Sequence, residues 1–455
     1  MKELLADAAA RAERYTSSIA GRRVAPLPED IDRLRILGGP LPENSSNPRS
    51  VLAMLDDFGS PATVASTGGR YFGFVTGGAL PAAVAANWLA GAWDQNAGLS
   101  IGSPVAVKIE EIASEWLCNI FGMPAGCGVG FVTGATMANF TALAAARHAL
   151  LRRAGWNVED SGLFGAPVLA VVVGAEVHVS VLKVLSLLGL GRARITTVPT
   201  DDQGRIRPEK LPTLDNLTIV CLQAGNVNTG NFDPATEICS AAHRAGAWVH
   251  IDGAFGLWAA AAPARSYLMN GVCDADSWAT DCHKWLNVPY DCGVAFVRDA
   301  ESLRGAMMVS AAYLHTGNTR EPAYYSPESS RRARAVEVWA ALRSLGRSGL
   351  AELVERNCRL AQRFAVGLRQ SGYTVLNDVV LNQVMVSFGD AETNRRIITE
   401  VQKDGTCWCG GTQWQRNTAM RISVSSWATT EEDVDVSLAA IVRIAQRVQA
   451  PTAAT

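Results

Sequence analysis

No run of like charges interrupts this chain of 455 residues, and its formal net charge is only −2. A basic arm or an acidic tail is therefore excluded, and neither nucleic acid nor an anionic membrane surface is an expected partner. No apolar stretch is long enough to span a bilayer. The nearest approach, residues 79–92, is Ala-rich but interrupted by Pro81 and Asn87. The N-terminal MKELLADAAARAERY lacks the apolar centre of a secretory signal and has the spacing of an amphipathic helix, so a cytoplasmic protein is expected. There is no internal repeat and no low-complexity block. The ten cysteines are scattered. Cys407 and Cys409 stand together, but no second Cys/His pair lies near them, so free buried thiols are expected and no metal site.

What is present is a sizeable apolar fraction, 48% of residues, in a chain long enough for one large domain and one smaller. Residues 1–60 read as a helix followed by a Pro-rich, loop-like arm. Residues 61–330 read as the large domain and 331–455 as a small α+β domain. Within the large domain, helical segments such as 105–121, 137–151 and 234–245 alternate with short β-branched runs at 168–173, 195–198, 218–222, 247–251 and 293–297. Those runs are almost wholly apolar, as strands covered on both faces must be. The alternation implies an α/β fold with a mostly parallel sheet between helices. Residues 310–330 are polar, Pro-bearing and Tyr-rich, and read as a long mobile loop.

Four segments carry chemistry. In Val249-His250-Ile251-Asp252-Gly253-Ala254 an apolar strand ends in a carboxylate. Ligands of open α/β sheets sit beyond the carboxyl ends of strands, where Asp252 can pair with a cationic ring nitrogen. Taken alone, the plainer reading is a cap. In Asp281-Cys282-His283-Lys284-Trp285-Leu286 a lysine lies among apolar neighbours, poorly solvated and suited to imine formation. The plain alternative is a lysine whose stem covers Trp285 while its ammonium stays wet. Thr133-Gly134-Ala135-Thr136 is a small-residue turn between a strand and a helix. Such a helix start offers backbone N–H groups and a dipole to a phosphate, although no Walker lysine follows. His178 follows an apolar strand and can stack on a flat ring, or serve as a hydrogen-bonded structural histidine.

In their order and spacing these segments resemble the pyridoxal-phosphate-dependent group II amino-acid decarboxylases, a group that includes aromatic-amino-acid, glutamate and tyrosine decarboxylases and shares fold type I with aspartate aminotransferase. The resemblance runs from about residue 65 to 430. It is carried most by His283-Lys284-Trp285-Leu286 with Asp291-Cys292, and by His250-Ile251-Asp252-Gly253-Ala254 upstream. It implies a large domain with a mostly parallel seven-stranded sheet, pyridoxal 5'-phosphate as cofactor, an L-amino acid as substrate and a homodimer with shared active sites. Lys284 matches the lysine that holds the cofactor as a Schiff base, and Asp252 the partner of its ring nitrogen. Ala254 and His178 match the residues on either face of the ring. Gly134, Ala135 and Thr136 match the phosphate turn, and His283 a histidine near phosphate or substrate. Tyr313 matches a loop tyrosine that protonates the substrate carbon. Phe74, Thr76 and Arg421 match substrate-pocket positions.

Two places depart from the family pattern. Thr136 and Met137 stand where Ser and Glu or Gln are usual, and Gly225-Asn226-Val227-Asn228-Thr229 replaces a Gly-Thr-Thr type turn, with Asn226 expected at the cofactor. The resemblance implies decarboxylation to an amine and CO2 through an external aldimine and a quinonoid. Oxidative deamination to an aldehyde, carbon–carbon lysis and transamination remain open, as does, more remotely, a binding module that kept the fold. Asn96 lies in an unusually polar stretch, Trp93-Asp94-Gln95-Asn96, readable either as a contact to a polar substrate or as a subunit-interface network. Phe74, Tyr324 and Tyr325 leave an aromatic substrate open.

Overall fold

The computed structural model describes residues 1–308 and 320–450. It divides into two compact units, residues 79–361 with 377–383, and residues 1–78 with 362–376 and 384–455.

The larger unit is built on a seven-stranded sheet. Its strands are β1 (Gly128–Val132), β2 (Ala170–Gly174), β3 (Ile195–Val198), β4 (Thr218–Gln223), β5 (Trp248–Asp252), β6 (Ser277–Asp281) and β7 (Gly293–Val297), in the spatial order β1-β7-β6-β5-β4-β2-β3. All neighbours are parallel except that β7 runs antiparallel to both β1 and β6. The sheet is the mostly parallel α/β sheet expected. Five of its strands appear where β-branched runs predict them. β6 lacks the β-branched signature because Ser277, Thr280 and Asp281 break its apolar pattern. All five of its residues are nevertheless buried. The sheet satisfies their hydroxyls: Ser277 accepts from Trp248 Nε1 at 2.9 Å, and Thr280 donates to the Gly253 carbonyl at 3.0 Å.

Four helices matter to the site: α1 (Pro104–Phe121), α2 (Ala135–Arg153), α3 (Val179–Leu187) and α4 (Ala235–Arg244). α2 is buried on nearly every side, and its core positions include Ala138, Ala142, Ala144, Ala145, Ala146 and Ala149. Small side chains let its backbone approach β6 and β7 on one side and α3 on the other.

In the second unit a five-stranded sheet orders Tyr71–Phe72, Trp408–Trp414, Asn417–Ser423, Gln383–Ser387 and Thr374–Val375. Helices Ala391–Asp404 and Glu431–Gln449 belong to the same unit, the latter opened by a reciprocal cap between Thr430 and Asp433. Residues 1–78 are grouped here too. The arm is less loop-like than its prolines imply. Pro28 opens the helix Pro28–Arg33, where its missing N–H costs nothing and Glu29 and Asp30 face the helix dipole. Asn47 caps a further helix, Pro48–Gly59.

Of the expected loop at 310–330, residues 309–319 lie outside the described residues, Tyr313 among them. The remainder is pinned. The fully buried Arg331 guanidinium meets Glu110 at 2.7 Å, Arg320 meets the same carboxylate at 3.0 Å, and the Ser100 N–H donates to Glu321 at 2.6 Å.

Candidate active site

Strand register gathers the site at the carboxyl edge of the larger sheet. Val132 at the end of β1 pairs with Gly293 at the start of β7, and Gly293 pairs in turn with Asp281 at the end of β6. The chain leaving β1 therefore passes beside the chain leaving β6. Gly293 is what permits the approach: a Cβ there would lie 2.4 Å from the Gly134 backbone. One strand further across the sheet, Asp252 of β5 pairs with Ala279 of β6 and with Gln223 of β4. The result is a cavity of about 310 Å³ lined by Gly134, Ala135, Thr136, His178, Asp252, Ala254, His283 and Lys284, among others.

Each wall of this cavity has a definite structural origin. Lys284 sits on the connection from β6 to β7, and its Nζ is 3.3 Å from Asp281 Oδ2. Asp252 is buried, and its Oδ1 accepts the Ala254 N–H at 3.1 Å, which fixes the carboxylate plane at the strand end. Gly134 is the N-cap residue of α2, and the Ala135 N–H at this helix start donates to Asp281 Oδ1 at 2.5 Å. His178 caps α3. Its Nδ1 accepts the Ser180 N–H at 3.3 Å, so the ring proton belongs on Nε2. His283 stacks on Tyr290 with ring centroids 4.3 Å apart, and burial pushes its pKa down against the opposing charge of Asp281.

Asp281 was not singled out by sequence. Its part in the site depends on the sideways alignment of three strands, and no local pattern reports that. Gln223, Gly225, Val227 and Phe255 also line the cavity without having been expected there. Asn226 is placed differently. Its carboxamide oxygen accepts the N–H groups of Asn228 and Thr229, at 2.9 and 3.2 Å. The side chain expected at the cofactor builds the turn, and its neighbours Gly225 and Val227 line the cavity.

Asn96 is not among the residues that line this cavity. Asn96 follows the helix Pro81–Trp93, and its Oδ1 accepts the Arg331 N–H at 2.9 Å. The polar stretch around it is a helix terminus: Asp94 is the left-handed cap and Gln95 bonds the Trp93 carbonyl. Phe74, Thr76 and Arg421 belong to the second unit. Phe74 is exposed beside Trp408, with ring centroids 5.3 Å apart, and Phe74 and Val75 both hold positive φ, 52° and 59°. Two non-glycine residues in that region are unusual, the β-branched Val75 especially. Burial pushes the Arg421 guanidinium down to about 10.

Behind the cavity a directed chain of hydrogen bonds holds α2 to the sheet. Trp248 Nε1 donates to Ser277 Oγ, that hydroxyl donates to His250 Nδ1 at 2.9 Å, and His250 Nε2 donates to Asn139 Oδ1 at 2.8 Å. Burial pushes His250 down to about 4, with Asp252 opposing. The fold thus holds a neutral imidazole that the unfolded chain would protonate near pH 6.5. Its stabilising contribution is complete above about pH 6.5 and is lost as pH falls towards 4, by about 3 kcal/mol over the whole interval. Urea unfolding at pH 7 and pH 5 is expected to show the native chain losing more stability than a His250→Gln variant. Equal losses in the two proteins would remove this histidine from the acid response.

These walls fit pyridoxal phosphate. They offer an amine for its aldehyde, a carboxylate for its ring nitrogen, a small residue and an imidazole for its faces, and a helix N-terminus for its phosphate. Among the described residues no cluster of His, Cys, Asp and Glu could hold a metal ion. No helix among them is long and apolar enough to cross a membrane.

Comparison with known proteins agrees with this geometry. Residues 63–388 match the family model described as the pyridoxal-dependent decarboxylase conserved domain. An aromatic-L-amino-acid decarboxylase of Bacillus atrophaeus is 25% identical over 422 residues, covering 88% of this chain and 86% of its own. An acidic amino acid decarboxylase of Mus musculus is 31% identical over 274 residues, 57% of this chain and 49% of its own. In fold, the chain is similar to the crystal structure of Oryza sativa TDC with PLP and tryptamine. The TM-score is 0.89 at 23% identity, covering 98% of this chain and 97% of that one.

Proposed function

Because the chain belongs to the pyridoxal-dependent decarboxylase family, we propose that it converts an L-amino acid to the corresponding amine and CO2, with Lys284, Asp252 and His178 as its principal active-site residues. Membership makes it an amino-acid decarboxylase that works with pyridoxal phosphate. The single observation that carries the residue assignment is that Lys284, Asp252, His178 and the Gly134–Thr136 turn line one cavity.

When bound, the cofactor supplies an electron sink for the pair left by the departing carboxylate. The chain's own residues do the rest. Lys284 provides the amine that would hold the cofactor aldehyde. Asp252, oriented by the Ala254 N–H, keeps the ring nitrogen protonated. Ala254 would leave room on one ring face, and His178, held by its cap to α3, would cover the other. Gly134, Ala135 and Thr136 would seat the phosphate at the start of α2, with His283 beside it. Tyr313, on its sequence match, gives the proton to the substrate carbon after CO2 leaves. Phe74, Thr76 and Arg421 are assigned to substrate binding on the same ground.

We infer a homodimer as the working form. The N-terminal helices leave Ile31, Ile36, Val51, Met54 and Leu55 exposed, and helices Lys2–Ser18 and Pro48–Gly59 bury no residue within the chain. Apolar side chains left out in this way mark a surface for a partner, and a second copy is the commonest one.

The test is a panel of L-amino acids with aromatic, acidic and basic side chains, scored for products by mass spectrometry. At least one class is expected to give CO2 and amine in equal amounts, and Tyr313→Phe to divert product from amine towards aldehyde. A keto acid, or aldehyde with ammonia and peroxide from the unaltered enzyme, would replace simple decarboxylation with another reaction. A normal amine yield from Tyr313→Phe would remove the protonating role from that residue.

A further inference from the structure

The start of α2 already carries an anion of the chain's own. The Asp281 side chain is 4% exposed and lies between two donors: Oδ1 takes the Ala135 N–H at 2.5 Å, and Oδ2 lies 3.3 Å from Lys284 Nζ. His283 Nε2 stands 3.6 Å from the same Oδ2. α2 has no acidic residue in its first turn, and Gly134 contributes no side-chain cap. Asp281 is therefore the side chain that caps the helix, reaching it from a different strand. A short charge-assisted bond of this kind is among the stronger ones a backbone donor can make.

We propose that Asp281 is a built-in competitor for the phosphate seat and sets how tightly the cofactor is held. This rests on reading the cavity as the cofactor site. A phosphate seated on the Gly134-Ala135-Thr136 turn needs the same Ala135 N–H that the Asp281 carboxylate holds. It also brings two negative charges to a wall that already bears Asp252 and Asp281, faced by Lys284, His283 and, capping α3, the His178 ring. The carboxylate must yield its donor and then stand beside an anion with which it repels. No such contest arises for an aldehyde that lacks the phosphate.

Asp281→Asn separates the two effects. The amide keeps an oxygen for the helix start, loses the charge and gains a donor for the phosphate. Dissociation constants of the full chain for pyridoxal phosphate and for pyridoxal are read by absorbance titration and by the cofactor retained after dilution. Relative to pyridoxal, whose constant reads only the lost pair with Lys284, pyridoxal phosphate is expected to bind the variant tighter by on the order of tenfold, the worth of one hydrogen bond to a charged group. Asp281→Ser, which keeps a capping hydroxyl without charge, is expected to shift the same constant in the same direction. Unchanged or weaker binding of pyridoxal phosphate to both variants, relative to pyridoxal, overturns the proposal. So does equal tightening of both aldehydes, since the effect would then run through Lys284 and not through the phosphate. If the unaltered chain takes up neither aldehyde, the reading of the cavity itself fails, and this proposal with it.

Discussion

Lys284→Ala is expected to lose the visible absorbance of the bound cofactor and to lower turnover by on the order of a thousandfold, about 4 kcal/mol of barrier. The residue is suited to so clean a test. It lies on the connection between two sheet strands, its side chain is 16% exposed, and its ion pair is with Asp281 three residues away. Removing the ammonium leaves Asp281 with the Ala135 N–H, so the carboxylate is not stranded in the interior. The neighbours that define the connection, Trp285, Leu286 and Val288, are buried. Unfolding in urea should report only the cost of unpairing the nearly buried Asp281 carboxylate, about 3–5 kcal/mol at most, with the transition still cooperative. Loss of colour and activity without loss of fold would isolate the chemistry. A spectrum identical to that of the native enzyme would refute the assignment of the amine.

The parts of the site that were legible in the sequence are those where chemistry and chain position coincide. Asp252 ends an apolar strand and is followed by small residues, and Lys284 sits in a run of tryptophan and leucine. Both patterns are local, and the structure places both residues on one cavity. Position in space is a different matter. Asp281 looks like any polar residue before a turn. It becomes part of the site because Val132, Gly293 and Asp281 line up across three strands and a glycine lets the backbones close. Asn226 shows the same limit from the other side. An amide next to a glycine turn suggests a ligand contact, but the same group satisfies its own turn first, as short amide side chains do. Asn96 is a second instance, its oxygen engaged by a backbone N–H more than two hundred residues away. The sheet followed the same division. Its β-branched strands were legible, whereas β6 was hidden because buried hydroxyls and a carboxylate, each satisfied from a neighbouring segment, mimic a loop.

Asp252→Asn should separate cofactor attachment from cofactor use. The substitution is nearly isosteric, and the new amide oxygen can still accept the Ala254 N–H that fixes the side chain at the strand end. What disappears is the negative charge. Lys284 is untouched, so the bound cofactor and its visible absorbance are expected to survive. Turnover is not. Without a carboxylate the ring nitrogen has no buried partner to hold its proton, and the developing carbanion loses its sink. A charge lost from a preorganised site of this kind costs on the order of 10² to 10³ in kcat, about 3–4 kcal/mol. Paired with Lys284→Ala, the comparison has a definite sign. One variant is colourless and inactive; the other is coloured and slow. The same carboxylate lies in the field of His250, so the variant's unfolding should be followed at neutral pH, where that imidazole is neutral whether or not Asp252 keeps its charge. An Asp252→Asn enzyme with native kcat would reduce the carboxylate to a cap on the turn after β5, and the electron sink would need another partner.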